Sequence, residues 1–77
     1  MFIDTKLIGR ELAALRKRNN LSLEEASKRA EMHPNTLSKY EKDASDIQLG
    51  TLEKLLNVYN TDELIFFKLI REYNHSN

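Results

Sequence analysis

Two short helical patterns joined by only about three residues constrain the fold of this chain more than any other feature of its sequence. The first begins at Ser22, and Glu25 follows at the spacing of a capping box, in which each residue satisfies a backbone N–H of the other. The second begins at Pro34, whose fixed backbone angle suits the first turn of a helix. Because two helices joined so tightly cannot lie antiparallel along their length, the pattern predicts a helix-turn-helix. Its helices should run from about Leu23 to Ala30 and from Pro34 to Lys42.

Hydrophobic periodicity predicts three further helices, so the expected fold is all-α, with five helices in a single domain, residues 1–77. Helix 1 runs from Phe2 to Lys17 and places three apolar residues on one face, namely Ile8, Leu12 and Leu15. Helix 4 begins at Leu49 or Thr51 and ends at Tyr59, and helix 5 runs from about Asp62 to Tyr73. The 77 residues include only two glycines and one proline, which favours helices with short loops over a β fold.

Several classes of function find little support in the composition. The chain has no cysteine, and its two histidines, His33 and His75, lack a metal-ligand spacing. It shows no Ser/His/Asp set, no phosphate-binding glycine loop, and no apolar run longer than the four residues 64–67. The N-terminus lacks the basic and apolar regions of a secretory signal. We therefore expect no enzyme activity, no catalytic or metal-binding residues, no cofactor, no membrane segment and a cytoplasmic location.

Basic residues are concentrated in the half of the chain that holds the helix-turn-helix pattern. Residues 1–42 contain nine Lys/Arg and six Asp/Glu, whereas residues 43–77 contain three and six, so a formal net charge of zero conceals a dipolar layout. Such a layout can orient a small protein on a polyanion, although uneven surface charge is also common in small domains. At the end of helix 1, Arg16, Lys17 and Arg18 either complement the helix dipole or contact phosphate.

A six-residue pattern in the second helix carries a family resemblance. Thr36-Leu37-Ser38-Lys39-Tyr40-Glu41 reads small polar, aliphatic, Ser, any residue, bulky apolar, Glu, and Arg16 stands near the end of helix 1. With the spacing of the two helices, this pattern resembles phage-repressor and Cro-type transcription regulators, the xenobiotic-response-element family. The similarity covers about residues 7–64. It implies a five-helix lambda-repressor-like DNA-binding domain with its helix-turn-helix at helices 2 and 3.

Double-stranded DNA is the partner that the resemblance implies, with helix 3 as the recognition helix. The expected DNA-contacting residues are Ser22, Leu23, His33, Pro34, Asn35, Thr36, Ser38, Lys39 and Lys42. Asn35 can pair with adenine, and Lys39 can donate to guanine. Leu23 and Pro34 could only contact a thymine methyl group, so direct base readout should depend on few side chains. An ordinary solvated helix face is the alternative interpretation of these residues.

The resemblance also implies an ion pair between Arg16 and Glu41 that ties helix 1 to helix 3. The chain departs from the family at two positions where glycine is usual. Glu31 occupies one of them, in the turn of the helix-turn-helix, so we expect this turn to differ in detail. Asp43 occupies the other and opens an acidic loop, residues 43–48, where family members often have basic residues that grip phosphate.

Helix 5 carries more apolar surface than one contact with its own core would use. Five residues form a broad stripe that we expect to make a homodimer interface: Ile65, Phe66, Leu69, Ile70 and Tyr73. Leu64 and Phe67 lie on the opposite side, and the family resemblance places Leu64 in the core. A helix that packs only against its own core, with a loosely covered outer side, is the alternative.

The sequence thus supports two functions from different classes. The first is a sequence-specific DNA-binding transcriptional regulator, a repressor that binds an inverted-repeat operator as a homodimer. The second is a helical protein–protein interaction module of helix-turn-helix ancestry that no longer binds DNA. The zero net charge, the acidic loop and the apolar helix 5 favour the second. A protein antagonist or a C-terminal regulatory domain is left open as a further partner.

Overall fold

The described part of the chain folds into five α-helices joined by short connections. The computed structural model describes residues 4–75 and their side chains as far as residue 72. The helices are α1 (Thr5–Arg18), α2 (Leu23–Arg29), α3 (Pro34–Lys42), α4 (Leu49–Val58) and α5 (Glu63–His75), and the described residues contain no strand. This architecture confirms the predicted all-α class with five helices. The part of predicted helix 1 at Phe2 and Ile3 lies outside the described residues.

Local capping signals mark the starts of the first three helices, although α1 begins at Thr5 and not at Phe2 as predicted. Asp4 accepts the N–H of Lys6 at 2.9 Å and caps α1. The Ser22 hydroxyl accepts the Glu25 N–H at 3.0 Å, and the Glu25 carboxylate accepts the Ser22 N–H at 3.0 Å, which is the predicted capping box of α2. The bond that the Ser22 N–H donates to the Glu25 carboxylate is the main reason why the pKa of Glu25 lies below its usual range. Pro34 is the first residue of α3, as its missing N–H favours.

Three of the turns that follow helices share one backbone motif. Asn20, Glu31 and Asn60 follow α1, α2 and α4 with left-handed backbones, at φ values of 55°, 57° and 54°. In each turn the next N–H bonds to the carbonyl five residues before it, for instance Met32 to Ser27 at 2.9 Å, as in a Schellman motif. The α2–α3 turn therefore keeps a left-handed residue at the family's glycine position, contrary to the expectation of a different turn. A non-glycine residue such as Glu31 pays roughly 1–2 kcal/mol for this conformation.

A single apolar core contains residues from every helix. Helix α1 packs against both α3 and α5, while α2 packs against α3 and α4. The buried apolar side chains are Ile8, Leu12, Leu15, Leu21, Ala26, Ala30, Leu37, Ala44, Leu52, Leu55, Leu56, Tyr59, Phe66 and Ile70. The three residues predicted for the inner face of α1 are all among them. Within the described part of the chain, the helices are too short or too polar to cross a membrane.

The orientation of α5 corrects the sequence-based assignment of its faces. Phe66 and Ile70 are fully buried in the core of their own chain, so the prediction that they form a dimer interface is wrong. Leu64, which the family resemblance placed in the core, is instead 81% exposed, and Ile65 is 58% exposed. The side chain of Tyr73, the last residue predicted for the interface, lies outside the described residues. The outward face of α5 is therefore the one that carries Leu64 and Ile65.

Helix α1 approaches the end of α3 closely at Gly9. A Cβ atom at this position would lie 2.6 Å from the carbonyl oxygen of Tyr40 and 2.7 Å from that of Glu41. Because these atoms belong to the α3 backbone, no rotamer change could relieve the clash. The absence of a side chain at Gly9 therefore sets how closely α1 and α3 pack.

Replacing Gly9 with Ala should lower the free energy of unfolding by roughly 1–3 kcal/mol, because the added methyl group forces two packed helices apart. Gly50→Ala in α4 is the matched control, since a Cβ there meets nothing within 4 Å. Its higher helix propensity should instead stabilise the protein by up to about 1 kcal/mol. Urea unfolding followed by circular dichroism measures both changes. Effects of the same sign and size at the two positions would contradict the role assigned to Gly9.

Candidate nucleic-acid interface

The exposed side of α3 presents a row of polar and basic side chains, which we name the reading face. Its members recur at the i, i+3, i+4, i+7 spacing of one helix face: Asn35, Ser38, Lys39 and Lys42. They line an open groove together with Asp43 and Ser45 of the loop that follows α3. Leu37 is fully buried, which fixes the rotation of α3 about its axis. The structure thus brings four of the predicted DNA-contacting residues together.

The remaining predicted contact residues lie outside this groove. His33 caps α3, and its Nδ1 accepts the Asn35 N–H at 3.1 Å, so the proton of the neutral ring resides on Nε2. Ser22 has both its hydroxyl and its N–H bonded to Glu25, which reduces its capacity to bind anything else. Three residues are half-buried and can offer only part of their surface: Leu23, Pro34 and Thr36.

The predicted ion pair between α1 and α3 is present. Arg16 Nε lies 2.7 Å from Glu41 Oε2, and Nη2 donates to Oε1 at 3.2 Å, which makes the contact bidentate. Arg16 Nη1 also donates to the carbonyl of Leu21 at 2.9 Å. The side chains of Arg16 and Glu41 are only 12% and 11% exposed, and the hydrogen bond that Arg16 donates to Glu41 raises the pKa of Arg16. One guanidinium group therefore joins α1, α3 and the turn that leads into α2.

A buried tyrosine lies close to this ion pair. The Tyr59 hydroxyl has no hydrogen-bond partner among the described residues. Burial, together with the nearby Glu41 carboxylate, raises the pKa of Tyr59 to about 12, while Arg16 acts in the opposite direction. The side chain therefore stays neutral and extends the apolar core as far as the ion pair.

The basic cluster at the end of α1 divides into three different environments. Arg16 is engaged with Glu41. Arg18 Nη2 lies 2.9 Å from the carboxylate of Glu11, which is buried on the same helix. Lys17 is exposed and forms no ion pair among the described residues. All three basic residues occupy the last turn of α1 and suit its dipole, but Lys17 has the most freedom to meet a phosphate.

The acidic loop after α3 is anchored to the start of α1. Asp43 ends α3 with an extended backbone at φ −160°, so this position does not require the glycine that the family usually has. Ala44 is buried, and its N–H donates to the Thr5 carbonyl at 3.0 Å. The Thr5 hydroxyl and the Ser45 N–H both bond to the Asp43 carboxylate and hold its pKa below its usual range. The loop is therefore a defined part of the surface beside α3.

One residue of this surface was not predicted from the sequence. Asp46 Oδ2 lies 3.2 Å from Lys39 Nζ, so the loop places a carboxylate directly beside an expected base-reading residue. The acidic run gave the only sequence signal. The contact itself depends on the path of the loop, which composition does not specify.

Comparison with known proteins decides the family. A family model described as helix-turn-helix matches residues 12–66, which is most of the chain and includes all of α2 and α3. The chain belongs to the helix-turn-helix family. Among curated protein sequences, none matches it significantly.

Solved structures of the restriction-modification controller protein C.Esp1396I have the same fold. One wild-type structure gives a TM-score of 0.85 at 12% sequence identity, and the alignment covers 100% of this chain and 99% of that chain. A triclinic form of the wild type gives 0.88 at 11% identity, with 95% of each chain covered. The family match makes the chain a DNA-binding transcriptional regulator of the Cro/C1 type. It confirms the predicted family and favours DNA binding over the alternative of a protein–protein module.

In this helix-turn-helix protein, truncation of either partner of the α1–α3 ion pair should be costly. Arg16→Ala and Glu41→Ala should each destabilise the fold by about 3 kcal/mol, the lower end of the range for buried pairs, because each leaves a poorly solvated charge. The double variant should lose clearly less than the sum of the two. Lys54→Ala is the control, since its contact with Glu31 at 3.9 Å is exposed and should contribute under about 1 kcal/mol. Chemical denaturation measures all four, and strictly additive losses would contradict the coupling.

Proposed function

We propose that this chain is a repressor that binds an inverted-repeat DNA operator as a homodimer, with α3 in the major groove. The observation that carries the proposal is the reading face, four polar side chains displayed on a helix whose opposite side is locked into the core. The major groove of B-DNA admits an α-helix, and its base edges offer a distinct donor and acceptor pattern for each base pair. Occupation of the operator would exclude RNA polymerase, so repression needs no chemistry beyond binding.

Five residues have a defined part in this proposal. Asn35, near the start of α3, accepts from and donates to an adenine edge, and Lys39, one turn later, donates to guanine. Lys42, at the last turn of α3, and Lys17, at the end of α1, are exposed cations suited to phosphate. The exposed Nε2–H of His33 suits a phosphate oxygen as well. Base readout is therefore concentrated in two side chains, while the others set position.

The outward face of α5 supplies the homodimer interface in the proposal. Leu64 and Ile65 are 81% and 58% exposed, and the half-buried Leu69 lies on the following turn. Lys68 and Glu72 are exposed on the same side, so an antiparallel two-fold pair would bring opposite charges together at its edge. Burial of one Leu or Ile contributes about 1.5–3 kcal/mol, and two-fold symmetry counts each residue twice. Ile65 and Leu69 belong to the stripe predicted from the sequence, whereas Leu64 takes the place of the fully buried Phe66 and Ile70.

Selection of random duplexes on the purified protein tests the proposal as a whole. A dimer should enrich an inverted repeat whose half-sites lie about one helical turn apart, on one face of the duplex. Each phosphate neutralised should contribute about −0.9 to the slope of log affinity against log salt concentration. Selection without any enriched repeat, combined with binding that does not respond to salt, would refute it.

Substitutions on the reading face should separate base readout from backbone contact. Asn35→Ala and Lys39→Ala should each cost about 1–3 kcal/mol on the selected site and relax the preference at one base position. Lys17→Ala is the control for phosphate contact, and it should weaken all sequences by the same factor. Fluorescence anisotropy on the selected duplex and on its single-base variants measures these effects. If the Asn35 and Lys39 variants lose affinity uniformly across sequences, α3 does not read the bases.

Charged substitutions on α5 should distinguish its two faces. Leu64→Asp and Ile65→Asp should each give a folded monomer with weakened operator binding, because both side chains lie on the surface of the single chain. Ile70→Asp should unfold the protein, because it places a carboxylate in the core. Light scattering gives the oligomeric state and thermal melts give the folding. A wild-type protein that stays monomeric at high micromolar concentration would contradict this interface.

A further inference from the structure

The ion pair between Lys39 and Asp46 differs from the other ion pairs of the described residues. Lys39 Nζ lies 3.2 Å from Asp46 Oδ2, and the two side chains are 65% and 69% exposed. The other three pairs contain no residue of the reading face: Arg16–Glu41, Arg18–Glu11 and Lys54–Glu31. A carboxylate beside a cation on a DNA-binding surface weakens the attraction of that cation to phosphate.

The backbone on both sides of Asp46 is fixed. Ala44 is buried, and its N–H donates to the Thr5 carbonyl at 3.0 Å. Ile47 packs against the core and donates its N–H to the Ala44 carbonyl at 3.1 Å. Asp46 therefore has a short side chain on an anchored turn, whereas Lys39 has a long and flexible one. When DNA approaches α3, the Asp46 carboxylate stays in place, and the Lys39 ammonium group is shared between Asp46 and acceptor groups of the DNA.

The ammonium group of Lys39 can contact a guanine edge more easily than a phosphate while it stays paired with Asp46. Lys39 has three N–H donors, so it can keep one bond to Asp46 and direct the others to guanine O6 and N7, which lie side by side in the major groove. A phosphate differs from guanine because it carries a negative charge. To bind Lys39 it would have to approach the Asp46 carboxylate, and like charges at close range repel. The pair therefore weakens contact with the DNA backbone more than contact with a guanine edge.

We propose that Asp46 is a specificity-determining residue of the DNA interface, which neutralises Lys39 toward phosphate and orients its ammonium group toward a guanine base. The inference depends on the proposed function, because it assumes that α3 enters the major groove. Asp46 would then help the protein to distinguish its operator from other DNA. The family resemblance alone suggested only that the acidic loop lacks basic residues that contact phosphate.

Asp46→Asn tests the inference, since it removes the charge and keeps the shape of the side chain. The affinity for a random duplex should rise roughly fivefold, as expected for one close charge pair in water. Affinity for the selected duplex should rise less, so the ratio of specific to non-specific affinity should fall. The slope of log affinity against log salt on random DNA should steepen by about 0.9, because Lys39 becomes free to neutralise one more phosphate. Thermal melts should show an unchanged fold, because Asp46 is exposed.

Two further variants exclude a simple effect of net charge. Glu53→Gln makes the same change of charge on α4, outside the α3 groove, and should leave both the affinity ratio and the slope nearly unchanged. In a Lys39→Ala background, Asp46→Asn should no longer alter the ratio. Equal gains on the two duplexes, a matching result with Glu53→Gln, or an effect that survives in the Lys39→Ala background would overturn the inference alone. A wild-type protein that binds no duplex would overturn the proposed function and this inference with it.

Discussion

Two contacts on the same face of α1 determine how α3 lies against it. At Gly9 the α1 backbone touches the carbonyl groups at the end of α3, and two turns later Arg16 holds the Glu41 carboxylate with two hydrogen bonds. The close approach is what brings a short Glu side chain within reach of the guanidinium group. A nearly buried ion pair adds little net stability compared with an apolar contact, so its main effect is on geometry. It fixes the direction of α3 and, with it, the direction of the reading face.

The turns after α1, α2 and α4 also fix geometry, in this case through backbone hydrogen bonds. Asn20 and Asn60 adopt left-handed conformations that asparagine tolerates, whereas the same conformation costs Glu31 roughly 1–2 kcal/mol. This cost falls in the turn of the helix-turn-helix, where the Met32 N–H bonds back to the Ser27 carbonyl and His33 caps α3. The surrounding hydrogen bonds hold Glu31 in this conformation and outweigh its intrinsic preference for a right-handed backbone.

Local signals predicted the helices well, because caps and turn residues act within a few positions of the chain. The capping box at Ser22 and the proline that begins α3 required no knowledge of the rest of the fold. The faces of α5 could not be assigned in this way. Periodicity groups residues by side, but only the packing of α5 on α1 decides that Phe66 turns inward and Leu64 outward. The contact of Lys39 with Asp46 was unpredictable for a related reason, since it depends on how the loop is anchored to α1.

Part of the positive charge of residues 1–42 is already neutralised within the chain. Three ion pairs have this effect: Arg16–Glu41, Arg18–Glu11 and Lys39–Asp46. Because non-specific affinity grows with the number of phosphates neutralised, each cation held in an internal pair lowers the attraction of one protomer to DNA in general. In the proposed homodimer a second α3 meets its half-site as an intramolecular event, which multiplies affinity without any new charge. Weakened attraction to DNA in general and dimerisation through α5 would then act together. Only a DNA sequence that fits two recognition helices at once would bind the protein tightly, and the zero net charge would limit binding to other DNA.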